Sequence, residues 1–332
     1  MVLRTMMASL LVCVACSGGD VDIDGDDPTV AASEDLAVNG TVLPSCADPG
    51  VTVDQGKYYV TCTGGGFPIY SSASATSGFK LVGKIFPNGG PSWSDGNHWA
   101  PEIHHVGSGF VAYFTARNKA NGKNAIGAAR ATSILGPYVD IGKPLVASTG
   151  SKIDAHFYTD PDSGKHYLFW KAELEPTDTL RGQEIGADGV TFVGGPAGSS
   201  ATKTVLKVTE GWEGSVVEAP WVVKRGSFYY LFYSGNAYCN HTYGVGVARA
   251  SHPLGPYTKL GHPILESGSH WSGPGHNAVV FKDGAWHTFF HAYRLAEGTP
   301  HCGDVSPDNN QRHLLSSQLF FQGGWPHVAA KL

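Results

Sequence analysis

The sequence predicts an all-β fold, a five-bladed β-propeller, and three observations carry that expectation. The first is composition: of 332 residues, 42% are hydrophobic and only 15% charged, with 44 glycines and 20 prolines. Such a chain buries a large core and turns often, and no long amphipathic helical stretch stands out. The second is a set of aromatic strands, each following a turn: GKYYVTCT from Gly56, GFVAYFTAR from Gly109, GKHYLFWKA from Gly164, GSFYYLFYSG from Gly226 and GAWHTFFHAY from Gly284. Taken at Lys57, Phe110, His166, Phe228 and Trp286, they lie 53, 56, 62 and 58 residues apart. The third is a longer repeat: IGAARATSILGPYVDIGKPL (126–145) returns as VGVARASHPLGPYTKLGHPIL (245–265), offset by 119 residues, close to two of those periods. One blade cannot bury both faces of its sheet, so it stacks on its neighbours and the ring closes. Two packed sandwich domains are the competing architecture, and they leave the even spacing unexplained.

The N-terminus reads as an export signal. Arg4 is the single positive residue of Met1–Thr5, and a small apolar run follows to Ala15. That run is too short to span a bilayer. The pattern is that of a bacterial lipoprotein, with Cys16 as the lipid acceptor, and ordinary secretion is the alternative; a lipid there would be the only attachment to a membrane surface. Residues 17–44 follow as an acidic flexible linker with seven carboxylates and no Lys or Arg. DVDIDGDDPTVA mimics the start of a calcium loop, but Ala31 stands where the bidentate Glu belongs, so a solvated tether is the reading. Residues 45–332 then form the propeller, with HLLSSQLFFQGGWPHV (313–328) supplying its closing strands. Four cysteines remain beyond Cys16; in an exported chain they are expected to pair as Cys239–Cys302 and Cys46–Cys62, with free buried thiols as the alternative. The absence of CxxC argues against zinc.

Upstream of each aromatic strand stands a polar residue. Asp48 lies in CADPGV, Glu102 and His104 in HWAPEIHH, Asp154 in KIDAHFYTD, Glu218 in VEAPW and His276 in GPGHN. In a propeller the innermost strands of all blades line one channel, so these positions converge. A turn residue explains any one of them. Burial of a carboxylate in blade after blade is costly unless it serves a site. Net charge is −5 with no basic run, which argues against nucleic acid as a partner. A polar, aromatic and weakly charged surface suits a neutral sugar. Paired carboxylates there point to glycoside hydrolysis: one protonates the leaving oxygen, one activates water or attacks, and a third tunes the acid. Trp93, Trp99 and Trp221 are candidates to stack on sugar faces, with core packing as the alternative for each.

The motifs ADPGV, WAPEI, IDAHFYTD, VEAPW, GPGHN and QRHLLSSQLFFQGGWP, in that order over residues 45–328, resemble glycoside hydrolase family 43. That resemblance implies a five-bladed propeller acting as an arabinanase, α-L-arabinofuranosidase or β-xylosidase. It implies inversion, with Asp48 as general base, Glu218 as general acid and Asp154 as the residue that tunes and orients the acid. Inversion would place the carboxyl groups of Asp48 and Glu218 about 6.5–9.5 Å apart. Arg312 and Glu102 are implied near the pocket, Trp99, His156 and Trp221 as substrate contacts, and His276 beside a structural calcium in the channel. No cofactor is implied for the chemistry itself.

The chain ends at Leu332, where many β-xylosidases of that family carry a further β-sandwich, so an arabinose-releasing enzyme acting on plant arabinan or arabinoxylan is expected, with β-xylosidase as the alternative. Loops around Tyr238–Tyr243 and Glu297–Asn310, tied by Cys239–Cys302, favour a closed pocket and exo action. The expected partner is an oligo- or polysaccharide and the expected state a monomer. A non-catalytic carbohydrate-binding propeller is the remaining alternative.

Overall fold

The computed structural model describes residues 36–37, 41–173, 177–298, 302 and 311–332. The signal (1–16), Cys16 and most of the linker (17–44) lie outside the described residues. After a two-residue strand β1 (Leu36–Ala37), the chain makes five four-stranded antiparallel sheets in sequence. Blade 1 is β2 (Gly50–Asp54), β3 (Lys57–Thr61), β4 (Pro68–Ser72) and β5 (Lys80–Lys84). Blade 2 is β6 (Trp99–Val106), β7 (Gly109–Asn118), β8 (Lys123–Ala131) and β9 (Val139–Asp140). Blade 3 is β10 (Lys152–Thr159), β11 (His166–Ala172), β12 (Thr179–Ile185) and β13 (Lys203–Lys207). Blade 4 is β14 (Val217–Arg225), β15 (Phe228–Gly235), β16 (Gly244–Ala250) and β17 (Thr258–Lys259). Blade 5 is β18 (Trp271–Lys282), β19 (Ala285–Arg294), β20 (Arg312–Gln322) and β21 (Trp325–Val328), and β22 (Ala330–Lys331) ends the chain. The five-bladed propeller is therefore the fold.

The aromatic segments are the second strands β3, β7, β11, β15 and β19. Neighbouring blades cover both of their faces, so they read as unbroken apolar runs rather than alternating ones. Tyr229–Gly235 are buried throughout, whereas the outermost strand of blade 1, Lys80–Lys84, is largely exposed. Phe232 and Phe289, both fully buried in the core shared by blades 1, 4 and 5, contribute roughly 1.5–3 kcal/mol each by leaving water. The hairpin between first and second strands turns on a glycine with positive φ in every blade: Gly56, Gly107, Gly164, Gly226 and Gly284.

Closure uses the expected stretch together with the segment before blade 1. The 313–328 stretch supplies most of β20, which pairs with β19, and β21, which pairs with β20, so blade 5 is completed by consecutive strands. The ring is sealed by the segment before blade 1: β1 pairs with β22, Val42 N donates to Leu314 O at 2.8 Å, and Cys46 N to Arg312 O at 2.9 Å. Both expected disulfides form, Cys46–Cys62 beside that seam and Cys239–Cys302 between the loops of blades 4 and 5.

Each inner strand starts on an irregular turn. Asp48, Ala100, Asp154, Ala219 and His276 all have φ between 46° and 58°, a left-handed conformation that costs a non-glycine residue about 1–2 kcal/mol. The ladder register slips just beyond that residue in blades 2 to 5, as a bulge requires. Bulges kink the strand and re-aim side chains. Here the amide of each left-handed residue is caught from the neighbouring blade. Ala100 N donates to Thr63 Oγ1 (2.9 Å), Asp154 N to Thr115 Oγ1 (3.1 Å), His276 N to Ser234 Oγ (2.8 Å) and Asp48 N to His291 Nδ1 (3.1 Å). The acceptors are equivalent residues of successive second strands, paired with the residue just before each bulge.

Thr115 is fully buried, so Thr115→Val keeps its volume and strands the Asp154 amide. The variant is expected to lose about 1–2 kcal/mol of stability, read as a lower urea midpoint at unchanged m-value.

Candidate active site

The bulges decide which sequence-selected residues face one another. Asp48, Asp154 and His276 occupy the left-handed position itself, Glu218 precedes it and Glu102 follows it by two residues. The acidic residues are therefore not all in one phase, as the sequence suggests; three residues share it, and the bulge brings Glu218 alongside. His276 lies beside Asp48, Asp154 bonds the residue next to Glu218, and Lys171 meets Glu218, so these side chains gather around one end of the channel.

Asp48 sits in a basic cage. Arg312 Nη1 donates to Oδ1 at 2.6 Å, Thr63 Oγ1 donates to Oδ2 at 2.6 Å, and the ring nitrogens of His291 and His276 lie 3.4 and 3.6 Å from Oδ1. Burial alone would raise its pKa; the charges of Arg312 and His276 and the Thr63 hydroxyl overcome that and hold it well below the usual carboxylate range. Asp48 is a fixed anion.

Asp154 is the opposite case. Burial and the neighbouring carboxylates of Glu218 and Asp48 push it up to about 7, against the pull of His276 and Lys171. Its Oδ2 accepts the Ala219 amide at 3.1 Å, tying it to the residue next to Glu218. Glu218 is gripped from two sides: Lys171 Nζ lies 2.8 Å from Oε2, and Tyr243 OH donates to Oε1 at 2.7 Å. Asp178 Oδ2, 3.0 Å from the same ammonium, balances it, and the two carboxylates hold Lys171 charged despite burial. Tyr243 reaches Glu218 by lying over Gly275, where a Cβ would stand 1.9 Å from its ring.

Lower in the channel the expectations need correction. Trp221 is 5% exposed, gives its indole N–H to Val279 O at 2.8 Å and packs 4.4 Å from the His156 ring, so it is held in the core rather than at the mouth. Trp93 likewise stacks on Phe114 inside blade 2. His156 is 2% exposed, and burial drives its pKa down to about 3. Its Nδ1 lies 2.9 Å from Glu102 Oε2, which His104 Nε2 meets at 2.7 Å. Glu102 is thus spent on two imidazoles. These three donors lie within 4.8 Å of one another, beside a cavity of about 300 Å³ lined by His156, Trp221, Val223 and Val280, towards the end of the channel away from Asp48. Two imidazoles and one carboxylate suit a first-row transition ion better than calcium, which takes oxygen ligands. His276 offers no oxygen either, so a calcium beside it would be held through water.

At the mouth, Trp99 keeps 36% exposure and Tyr238 42%. Arg312 lies 4.8 Å from the Tyr238 ring, and Cys239 beside it is bridged to Cys302. Sequence reasoning missed Lys171, Asp178, Tyr243 and His291. Three of the missed or supporting groups carried a signal: Lys171, Ser234 and His291, like Thr115, each follow two aromatics in a second strand, in FWK, FYS, FFH and YFT.

Known proteins share this sequence and fold pattern. The sequence profile described as "Glycosyl hydrolases family 43" matches residues 39–326. A probable arabinan endo-1,5-alpha-L-arabinosidase A of Aspergillus flavus is 25% identical over 302 residues, covering 82% of this chain and 87% of the relative. An extracellular exo-alpha-(1->5)-L-arabinofuranosidase of Cellvibrio japonicus is 26% identical over 323 residues, covering 86% of each. The crystal structure of a thermostable family-43 glycoside hydrolase superposes with a TM-score of 0.76 at 27% identity, over 87% of this chain and 94% of the other.

A buried carboxyl that titrates near neutrality is open to direct observation. Infrared difference spectra between pH 5.5 and 8.5 are expected to show loss of a protonated carboxyl band, and Asp154→Asn is expected to remove it.

Proposed function

The chain belongs to glycosyl hydrolase family 43 and hydrolyses O-glycosyl bonds, and from that premise we propose that it is an inverting α-L-arabinofuranosidase releasing arabinose from chain ends of arabinan or arabinoxylan. The observation that carries the reading is the opposite tuning of two carboxyl sites at one end of one channel: Asp48 locked as an anion, Asp154 beside Glu218 raised to about 7. Carboxyl groups whose environments push them apart divide into base and acid.

In this reading Asp48 is the general base. With Arg312 on Oδ1 and Thr63 on Oδ2, its remaining lone pairs take a proton from the attacking water. Glu218 gives its proton to the glycosidic oxygen as the bond to the anomeric carbon breaks. Water attacks from the opposite face, so the configuration inverts. Asp154, tied through the Ala219 amide to the residue next to Glu218, orients the acid in this reading. Exo action is supported by the loop bearing Tyr238, which the Cys239–Cys302 bridge anchors beside Arg312. Trp99, exposed at the start of β6, is proposed as a sugar platform. Export, the lipid on Cys16, the monomeric state and a water-held calcium near His276 belong to the same proposal, and no catalytic step depends on them.

Proton NMR of the first product from an α-L-arabinofuranoside is expected to show the β anomer; the α anomer would reject inversion. Glu218→Gln is expected to keep substrate binding and lose about 10³-fold or more in kcat on an α-1,5-linked arabinobiose. Unchanged hydrolysis by that variant would remove Glu218 from the role. Parallel assays on nitrophenyl β-xyloside and debranched arabinan test the sugar and the mode of attack.

A further inference from the structure

In the ring of interblade hydrogen bonds, blade 3 breaks the pattern. Thr63, Thr115, Ser234 and His291 accept the bulge amide of the next blade, and the equivalent residue of blade 3, paired with Ile153, is Lys171. An ammonium has no lone pair and cannot accept that bond. The bulge amide it leaves over, Ala219 N, goes instead to Asp154 Oδ2, and the freed ammonium extends to Glu218 Oε2 at 2.8 Å. One exchange of acceptor for donor thus joins Asp154, Glu218 and Lys171 into a unit. Burying this ammonium, only 5% exposed, is costly, and the four other blades do without it.

We propose that Lys171 is a positioning residue for the acid: it holds Oε2 of Glu218 and so assigns the transferable proton to Oε1, beside Tyr243. This rests on the reading of Glu218 as general acid. Oε2 faces a group that only donates, so a proton there would meet N–H head on. Oε1 faces the Tyr243 hydroxyl, which donates to a carboxylate and tolerates a carboxylic acid equally well. In the reaction, the Oε1–H bond breaks as its proton passes to the glycosidic oxygen, the electron pair stays on Glu218, and the carboxylate left behind accepts from Tyr243 again. Water's proton goes to Asp48. Without Lys171 the carboxyl turns freely about its last torsion and the proton is shared between both oxygens. The charged and titratable groups facing Glu218 are Lys171 with Asp178 behind it, Asp154 with His276 and Asp48 behind it, and Tyr243.

The test compares Lys171→Met, Lys171→Arg and the double variant Lys171→Met with Asp178→Asn, which also neutralises the carboxylate 3.0 Å from the ammonium. Each is assayed on α-1,5-arabinobiose, whose leaving group needs a proton, and on 2,4-dinitrophenyl α-L-arabinofuranoside, whose leaving group does not. Expected for both Met variants is a drop in kcat of about 100-fold on the disaccharide and less than about 10-fold on the aryl glycoside, with KM changed by less than about threefold. The alkaline limb of kcat/KM is expected to move to higher pH, because a cation beside the carboxylate is gone. Lys171→Arg, which keeps the charge, is expected to recover part of the disaccharide activity. Equal losses on both substrates with an unmoved pH profile would overturn the proposal and leave Lys171 a structural ion pair. If Glu218→Gln, assayed alongside, kept its disaccharide activity, the acid assignment itself would fall and this proposal with it. A dead Glu218→Gln with leaving-group-independent Lys171 variants would overturn the positioning role alone.

Discussion

The structure depends on one recurring constraint: the amide of a strained residue at the head of each inner strand must find an acceptor in the adjacent blade. A left-handed residue kinks the strand and turns a side chain toward the axis, and it leaves a buried N–H off the ladder. An unpaired buried N–H costs about 1–3 kcal/mol, comparable with the strain itself, so neither feature persists without the partner. Thr63, Thr115, Ser234 and His291 supply that partner across four blade junctions. The bonds run around the ring in one direction, and the last returns from blade 5 to Asp48 in blade 1. Closure of the propeller and orientation of Asp48 are therefore one event, reinforced by Arg312, whose carbonyl takes the Cys46 amide while its guanidinium takes Asp48 Oδ1.

Electrostatics then divides identical chemistry into different roles. Asp48 and Asp154 are both aspartates at the same place in the repeat, the second buried and the first mostly so. They differ in what the next blades present. Asp48 meets a guanidinium, two imidazoles and a hydroxyl, and desolvation loses. Asp154 meets Glu218 and Asp48 as well as His276 and Lys171, and desolvation wins. A repeat protein can thus hold the backbone constant and vary only the side chains that converge, which is how charges scattered over more than two hundred residues act as one site.

Much of this was legible in the chain. The period near sixty residues, the aromatic second strands and the acids upstream of them follow from a physical regularity: a strand covered on both faces must be apolar along its whole length, while the residue at its mouth is free to be polar. Arg312 came only from the resemblance, and the two disulfides from the cysteine count of an exported chain. The upstream positions of Asp48, Glu218, Asp154 and His276 follow from that frame. Trp221, His156 and Glu102 did not, because a tryptophan, histidine or glutamate beside a motif reads alike whether it meets a sugar or another blade. Lys171 and His291 stood in plain view after paired aromatics, but a polar residue ending a strand has no stated partner until the neighbouring strand is known.

The sequence by itself determined the number of blades and the positions of their aromatic strands, because those depend on local periodicity and on turns that only glycine makes easily. Tertiary structure alone decided how deep each residue lies and which charges face it. Burial and charge proximity act through space and across blade junctions, so the ionisation of Asp48, the raised carboxyl of Asp154 and the two-sided grip on Glu218 exist only once the ring has closed.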